Sequence, residues 1–228
     1  MNVNNTKIRL VSEKENLYYW EEFYKKFKLD EESSFCKYIK NEINKNTTII
    51  DIGCGTGRDT RSFSKAGYRV VGIDRSEEAI SSNNNHLKEI GENGCISFKV
   101  IDISDGEELS TFISGMVEEA SFLGNQLLIY TRFFLHSINR ETEEILLRTI
   151  TNSLNSGDMF AAEFRTIEDQ SREKVYNDHY RRYVDSELLV NELEQKYSFE
   201  VIEYSKGVGF SVFKNEDPFL ARVIAKKV

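Results

Sequence analysis

The stretch Thr48-Ile49-Ile50-Asp51-Ile52-Gly53-Cys54-Gly55-Thr56-Gly57-Arg58-Asp59 constrains the fold of this chain more than any other. An apolar run of strand-forming residues ends in three alternating glycines, and a helix is expected to follow. Glycines let backbone pass where a side chain would block a ligand, and a helix start offers unpaired N–H groups. Seventeen residues after Gly57, a second strand, Tyr68-Arg69-Val70-Val71-Gly72-Ile73, ends in Asp74. An acid at the tip of the next strand is where a doubly wound sheet grips a ribose diol. Together these features predict a nucleoside-cofactor site.

The dinucleotide fingerprint is Gly-x-Gly-x-x-Gly, whereas the glycines here are spaced Gly-x-Gly-x-Gly. Asp51, two residues before Gly53, places a carboxylate where a pyrophosphate would be repelled and a cationic amino-acid cofactor tolerated. At these residues the chain resembles the class I S-adenosylmethionine (SAM) methyltransferases, whose first motif reads Asp-x-Gly-x-Gly-x-Gly. The resemblance spans roughly residues 47 to 165. It implies that Asp51, Gly53, Gly55 and Gly57 line the cofactor, that Asp74 with Arg75 meets the ribose, and that Asp102 and Ile103 after the third strand meet the adenine. Tyr130, at the end of the fourth strand, is expected beside the cofactor, and Arg58 within reach of its carboxylate. For Arg58 an ion pair with Asp59 or Asp74 is an equal alternative. NAD-type binding is the competing cofactor reading.

The rest of the chain alternates strand and helix. Strands are expected at 48–52, 69–73, 96–101, 126–130 and 159–165, with helices at 58–66, 77–90, 107–120, 140–154 and 185–196 between and after them. A closing pair near 199–205 and 209–226 has no long crossover between its members and should be antiparallel. This predicts an α/β, Rossmann-like, mostly parallel seven-stranded sheet with an antiparallel C-terminal hairpin. Ahead of it, residues 1–12 are polar. Glu15 to Lys28 carries Tyr19, Trp20, Phe23, Tyr24 and Phe27 at helical spacing, and Ser33 to Asn44 repeats the pattern with Phe35, Ile39 and Ile43. Residues 1–46 are read as an N-terminal helical cap of the same domain, and 47–228 as the cofactor-binding part. Tyr18 and Trp20 are the preferred lid residues over the cofactor, core packing being the other fate open to these aromatics.

At 228 residues a single domain is expected. Thirty basic against thirty-eight acidic residues give a formal charge of −8, which disfavours nucleic acid as partner. No apolar run reaches the ~20 residues of a membrane span, and no signal-peptide core is present, so a cytoplasmic location is expected. Cys36, Cys54 and Cys95 form neither a zinc pattern nor a disulfide scaffold, and no metal site is expected.

The acceptor must approach from beyond the carboxyl ends of the central strands. Two segments lead there: Tyr130-Thr131-Arg132-Phe133-Phe134-Leu135-His136 after the fourth strand, and Glu163-Phe164-Arg165-Thr166 with Asp178-His179-Tyr180-Arg181-Arg182-Tyr183 after the fifth. Arg132, Arg165, His179, Arg181 and Arg182 thus gather near one opening of an acidic protein and point to an anionic small-molecule substrate. Ion pairs with Glu163, Asp169, Asp178 or Asp185 are the structural alternative. His136 is the candidate base or positioner of the acceptor, with Arg132 and His179 beside it, while His86 reads as a surface residue. Glu216-Asp217-Pro218 reads as a turn near the pocket.

The motifs Gly57-Arg58-Asp59-Thr60, Arg132 to His136, Glu163 to Arg165 and His179 to Tyr183 also resemble bacterial methyltransferases of surface-polysaccharide assembly, some of which are similar to enzymes acting on phosphate-bearing or phosphoramidate-bearing glycans. Thr56 stands where the nearest of these would carry asparagine. The fourth strand lacks the Asn-Pro-Pro-Tyr or Asp-Pro-Pro-Tyr run that marks amino-group methylation, which favours an oxygen acceptor. The sequence therefore implies an O-methyltransferase for a small phosphorylated carbohydrate or its precursor. Methylation of an unrelated metabolite, and a SAM-binding accessory subunit, are the alternatives.

Overall fold

The computed structural model describes residues 13–26, 31–91, 94–175 and 179–228; residues 1–12, the end of the first expected helix at Phe27 and Lys28, and Asp178 lie outside them. The chain begins with α1 (Glu13–Lys26) and α2 (Ser34–Glu42). Then follow β1 (Thr47–Ile52), α3 (Arg58–Lys65), β2 (Arg69–Asp74), α4 (Glu77–Ile90), β3 (Ile96–Val100), α5 (Gly106–Phe122) and β4 (Gln126–Arg132). After β4 come α6 (Arg140–Ser153), β5 (Met159–Arg165), α7 (Ser186–Gln195), β6 (Phe199–Gly207) and β7 (Leu220–Lys227). The seven strands form one sheet in the order β3-β2-β1-β4-β5-β7-β6. The first five are parallel, and β7 runs antiparallel between β5 and β6. The order reverses between β1 and β4, and at such a switch point a crevice opens beyond the carboxyl ends of the strands.

Side chains alternate along each strand, so β1 serves two cores. Ile50 and Ile52 join Val71, Ile73, Leu127 and Ile129 on the face covered by α5, α6 and α7. Ile49 joins Val70, Leu128 and Tyr130 on the face covered by α2, α3 and α4, through Phe35, Phe63 and Ile80. Helix starts are set by short polar side chains: Ser33, Ser76, Asp105, Asn139 and Asp185 each accept from a backbone N–H of the first turn. The start of α3 differs. Its cap is Gly57 in the left-handed region with no side-chain hydrogen bond, which leaves that helix end open toward the crevice.

Two boundaries depart from the sequence reading. β4 runs to Arg132 because that residue pairs in register with Glu163 of β5. The last strand begins at Leu220, far later than expected. Pro218 has no N–H to donate to a ladder, and the Phe213–Glu216 bridge closes a turn of its own, so residues 208–219 form a loop over the sheet edge. Among the described residues no helix is long and apolar enough to cross a membrane.

Candidate functional site

A cavity of about 740 Å³ lies beyond the carboxyl ends of β1 to β5, within the few-hundred to ~1,000 Å³ range of small-molecule sites. The glycine loop forms one wall. Gly53 and Cys54 donate their N–H groups to Ile73 O at 2.8 and 3.0 Å, which ties the loop to β2. Gly55 has φ +51° and donates to Asp74 Oδ2 at 3.0 Å. A Cβ at Gly55 would stand 2.8 Å from the Tyr24 ring, so glycine is required both by its backbone and by the close approach of α1.

Three carboxylates edge this half of the cavity. Asp51 lines it from the end of β1, is buried, and accepts from Thr60 Oγ1 at 2.5 Å. Burial, and then the Asp59 carboxylate, push its pKa up to about 7. Asp74 lines it from the end of β2 and also accepts from Ser76 N at 3.0 Å. Burial raises its pKa against the pull of the Ser76 and Gly55 N–H bonds. Asp102 and Ile103 line it beyond β3, with Ser104 donating to Asp102 Oδ1. Arg75 and Arg58 line it as well; Arg58 lies 3.9 Å from Asp59, the ion pair weighed from the sequence.

The other half is basic. Arg132, Arg165, Arg181, His136 and His179 all line the cavity. Arg132 pairs with Glu163 at 3.1 Å and donates to Ser211 Oγ at 2.8 Å. Arg165 pairs with Asp169 at 2.7 Å and with Glu216. Both guanidiniums lie over Phe133, at 4.2 and 5.6 Å, and Phe133 itself is held at φ +54°. His136, in the 3-10 turn Leu135–Ser137, accepts from Arg165 N at its Nδ1, 3.2 Å away. Burial and then Arg165 hold its pKa well below the usual imidazole value. The ring is therefore neutral with its proton on Nε2, which makes it a hydrogen-bond donor to a ligand and leaves no free basic nitrogen.

Four sequence expectations are not met by the geometry. Tyr18 is 65% exposed and does not reach the cavity, because the inward stripe of α1 runs through Asn16, Tyr19, Trp20, Phe23 and Tyr24. Tyr130 is fully buried beneath the site, its hydroxyl donating to Asp59 Oδ2 at 2.8 Å. Arg182 stays outside the cavity and holds its wall: it donates to Leu135 O at 3.1 Å and Ile138 O at 3.2 Å, and pairs with Glu143. Gly57 is likewise absent from the lining and acts through the turn into α3. Conversely, Asp59 was weighed only as a partner of Arg58. It accepts from Ser33 N and Oγ as well as Tyr130, and so anchors α2 against the site. Asn16 and the loop residues Gly209 to Phe213 line the cavity without any motif to announce them.

Residues 43–114 match the family described as a methyltransferase domain. That segment holds β1 to β3 and the glycine loop. A protein of Methanobrevibacter smithii named "Probable cobalt-precorrin-6B C(15)-methyltransferase (decarboxylating)" is 31% identical over 75 residues, which cover 29% of this chain and 40% of that relative. The chain thus spans well under half of that curated relative. A SAM-dependent methyltransferase structure from Anabaena variabilis superposes with TM-score 0.68 at 18% identity, covering 92% of this chain and 93% of the other. A magnesium protoporphyrin IX methyltransferase from Synechocystis with bound S-adenosylhomocysteine superposes with TM-score 0.59 at 13% identity, covering 96% and 88%. The fold is that of the SAM-dependent methyltransferases. SAM is the cofactor of methyltransferases with this fold, and the residues present would fit it: a glycine cradle and buried carboxylates for a cation.

Proposed function

We propose that this chain is a SAM-dependent methyltransferase acting on an oxygen of a small anionic acceptor, a phosphorylated carbohydrate or its activated precursor in bacterial surface-polysaccharide assembly. The observation that carries the reading is the opposed polarity of one cavity. Asp51, Asp74 and Asp102 edge the half at β1 to β3, and Arg132, Arg165 and Arg181 edge the half at β4 and β5. Glu163, Asp169 and Glu216 pair Arg132 and Arg165, so support for an anionic acceptor leans on the effect of the arginines on the two histidines. After burial, the neighbouring arginines are the next cause depressing both histidines. The carbohydrate class rests on the resemblance of the short motifs around Arg58, Arg132, Arg165 and His179.

Bound SAM supplies a methyl group already activated on a sulfonium. The chain's own work is then binding, orientation and exclusion of water. Asp74 holds the ribose edge, Asp51 faces the cationic part, and the glycine backbone sets the approach. Arg165 and Arg181 attract the anionic acceptor, and His136 donates from Nε2 to orient it. Since Nδ1 of His136 is occupied by Arg165 N–H, the ring is not a ready base. That favours an acceptor oxygen ionised before it arrives, as a phosphate or carboxylate oxygen is.

The test is S-adenosylhomocysteine release from purified protein and SAM across sugar phosphates, nucleotide sugars and their neutral counterparts. Release confined to the anionic compounds is expected. Release with neutral counterparts only would overturn the anionic acceptor, and SAM binding without any release across the panel would favour an accessory, non-catalytic role.

A further inference from the structure

Asn16 Oδ1 and His179 Nδ1, in described residues of the cavity wall, are buried and have no hydrogen-bond partner. Asn16 is only 6% exposed. Its Nδ2 donates to Ser137 O at 3.3 Å, which identifies the remaining amide atom as the oxygen. His179 Nε2 lies 3.0 Å from Arg181 Nη2. A guanidinium only donates, so Nε2 is the accepting nitrogen and the neutral ring carries its hydrogen on Nδ1. Of these two atoms one is an unsatisfied acceptor and the other an unsatisfied donor.

The two are linked through α1. Asn16 precedes Tyr19 and Trp20 by three and four residues, on the same face of α1. The rings of Tyr19 and Trp20 pack on His179 at 4.8 and 5.2 Å. Ser137, which Asn16 holds, closes the turn that carries His136. The pair thus touches the β4 and β5 half of the cavity, through Ser137 and through His179 itself. A buried polar atom left without a partner forfeits the hydrogen bond it would make to water. Two such atoms in one cavity wall burden the fold, and a ligand that satisfies both removes the burden.

The chemistry of that ligand group is restricted. Asn16 Oδ1 requires a donor and His179 Nδ1–H requires an acceptor. An ionised phosphate or carboxylate oxygen supplies only the second. A hydroxyl supplies both from one oxygen, or an adjacent pair of hydroxyls supplies one each. Building on the function proposed above, we propose that Asn16 and His179 form a hydroxyl-reading pair that selects acceptors carrying a neutral hydroxyl beside their anionic group. The arginines then set charge, and this pair sets which sugar-like scaffold is admitted. Rejection of an analogue that lacks the hydroxyl follows from leaving both buried atoms unpaired.

The experiment uses Asn16→Leu and His179→Phe, the second keeping a ring against Tyr19. The S-adenosylhomocysteine-loaded protein is titrated with hexose 1- and 6-phosphates and their mono-deoxy analogues, and S-adenosylhomocysteine affinity and thermal midpoint are measured alongside. Each variant is expected to weaken hexose phosphate binding by about 10- to 100-fold and to change S-adenosylhomocysteine affinity less than about twofold. Each should also keep or raise the thermal midpoint. One deoxy analogue should bind the wild type as weakly as its parent sugar binds the variants. A fall in S-adenosylhomocysteine affinity with sugar binding intact would overturn the proposal by giving the pair to the cofactor. A lowered midpoint with sugar binding intact would overturn it by making the pair structural. Failure of every hexose phosphate to bind wild type would remove the acceptor class proposed above. The midpoints alone would then decide the pair, a fall sinking it and a rise sustaining it.

Discussion

A carboxyl group in a cavity wall is worth most when its ligand is a cation and costs most when the site is empty. Asp51 shows this at the scale of one residue. Burial first and Asp59 second raise its pKa from 3.8 to about 7, against the Thr60 hydrogen bond, with Asp74 adding to the rise and Arg132 opposing it. Because the folded value exceeds the free one, the group's contribution to stability is complete below a pH of about 4 and is lost as pH rises through about 7. The ligand-free protein is therefore expected to lose thermal stability over that interval, and Asp51→Asn to lose less. A cationic ligand favours the ionised form, so SAM should bind more tightly as pH rises through about 7, by up to about tenfold per pH unit. Titrations with SAM from about pH 6 to pH 8 check this, since Asp51→Asn should flatten the dependence; equal slopes in both proteins would remove Asp51 from the cationic subsite. Asp51 and Asp74 were legible in the sequence because a glycine loop fixes what stands beside it. Asn16 was not, since a lone asparagine in a polar stretch has no pattern until Ser137 is brought to it.

The element that most shapes access is α1. Its aromatic residues at helical spacing were visible as a stripe, yet the lid residues preferred from sequence were Tyr18 and Trp20, and only the second lines the cavity. Neighbouring positions on a helix point about 100° apart, so the face is decided by what the helix packs against, here the glycine loop and His179. Tyr24 is the sharpest case. Its ring covers Gly55, and burial first, then the charge of Asp74 and a hydrogen bond to it, hold the phenol well above its usual pKa. Asp74 is the group assigned to the ribose, so Tyr24 competes for it in the ligand-free protein. Tyr24→Phe keeps the ring and removes the competitor. Loss of one such bond is worth about 1–2 kcal/mol, so SAM affinity is expected to increase by roughly 5- to 30-fold. Calorimetry on the variant checks the sign; a weaker affinity would show that the hydroxyl serves the bound cofactor.

Across the whole molecule the alternation of apolar strands and amphipathic helices was enough to predict a parallel sheet with a returning hairpin, because each strand carries its own pattern. The ion pairs of the basic half carry no such pattern: Glu163 and Asp169 stand in the sequence only as alternative partners, and Arg132–Glu163 and Glu163–Arg222 join different strands. Glu163 on β5 is the hub: fully buried, it holds Arg132 of β4 at 3.1 Å and Arg222 of β7 at 2.7 Å. Arg222 in turn reaches Phe210 O at 3.1 Å and Ser34 Oγ at 3.0 Å, linking the 208–219 loop and α2 to the sheet. One carboxylate thus coordinates three strands and both covers of the cavity. Removing it leaves two arginines poorly exposed to water with no counter-charge between them. Breaking a buried pair from one side costs about 3–5 kcal/mol, which for a chain of this length lowers the thermal midpoint by roughly 6–20 °C. Glu163→Ala is expected in that range. The double variant Glu163→Ala with Arg132→Ala should recover part of the loss, since one stranded charge leaves with its partner. Thermal denaturation of the single and double variants measures the coupling; purely additive losses would mean that Arg132 is held by Ser211 and the Phe133 ring, and that the sheet does not depend on this pair.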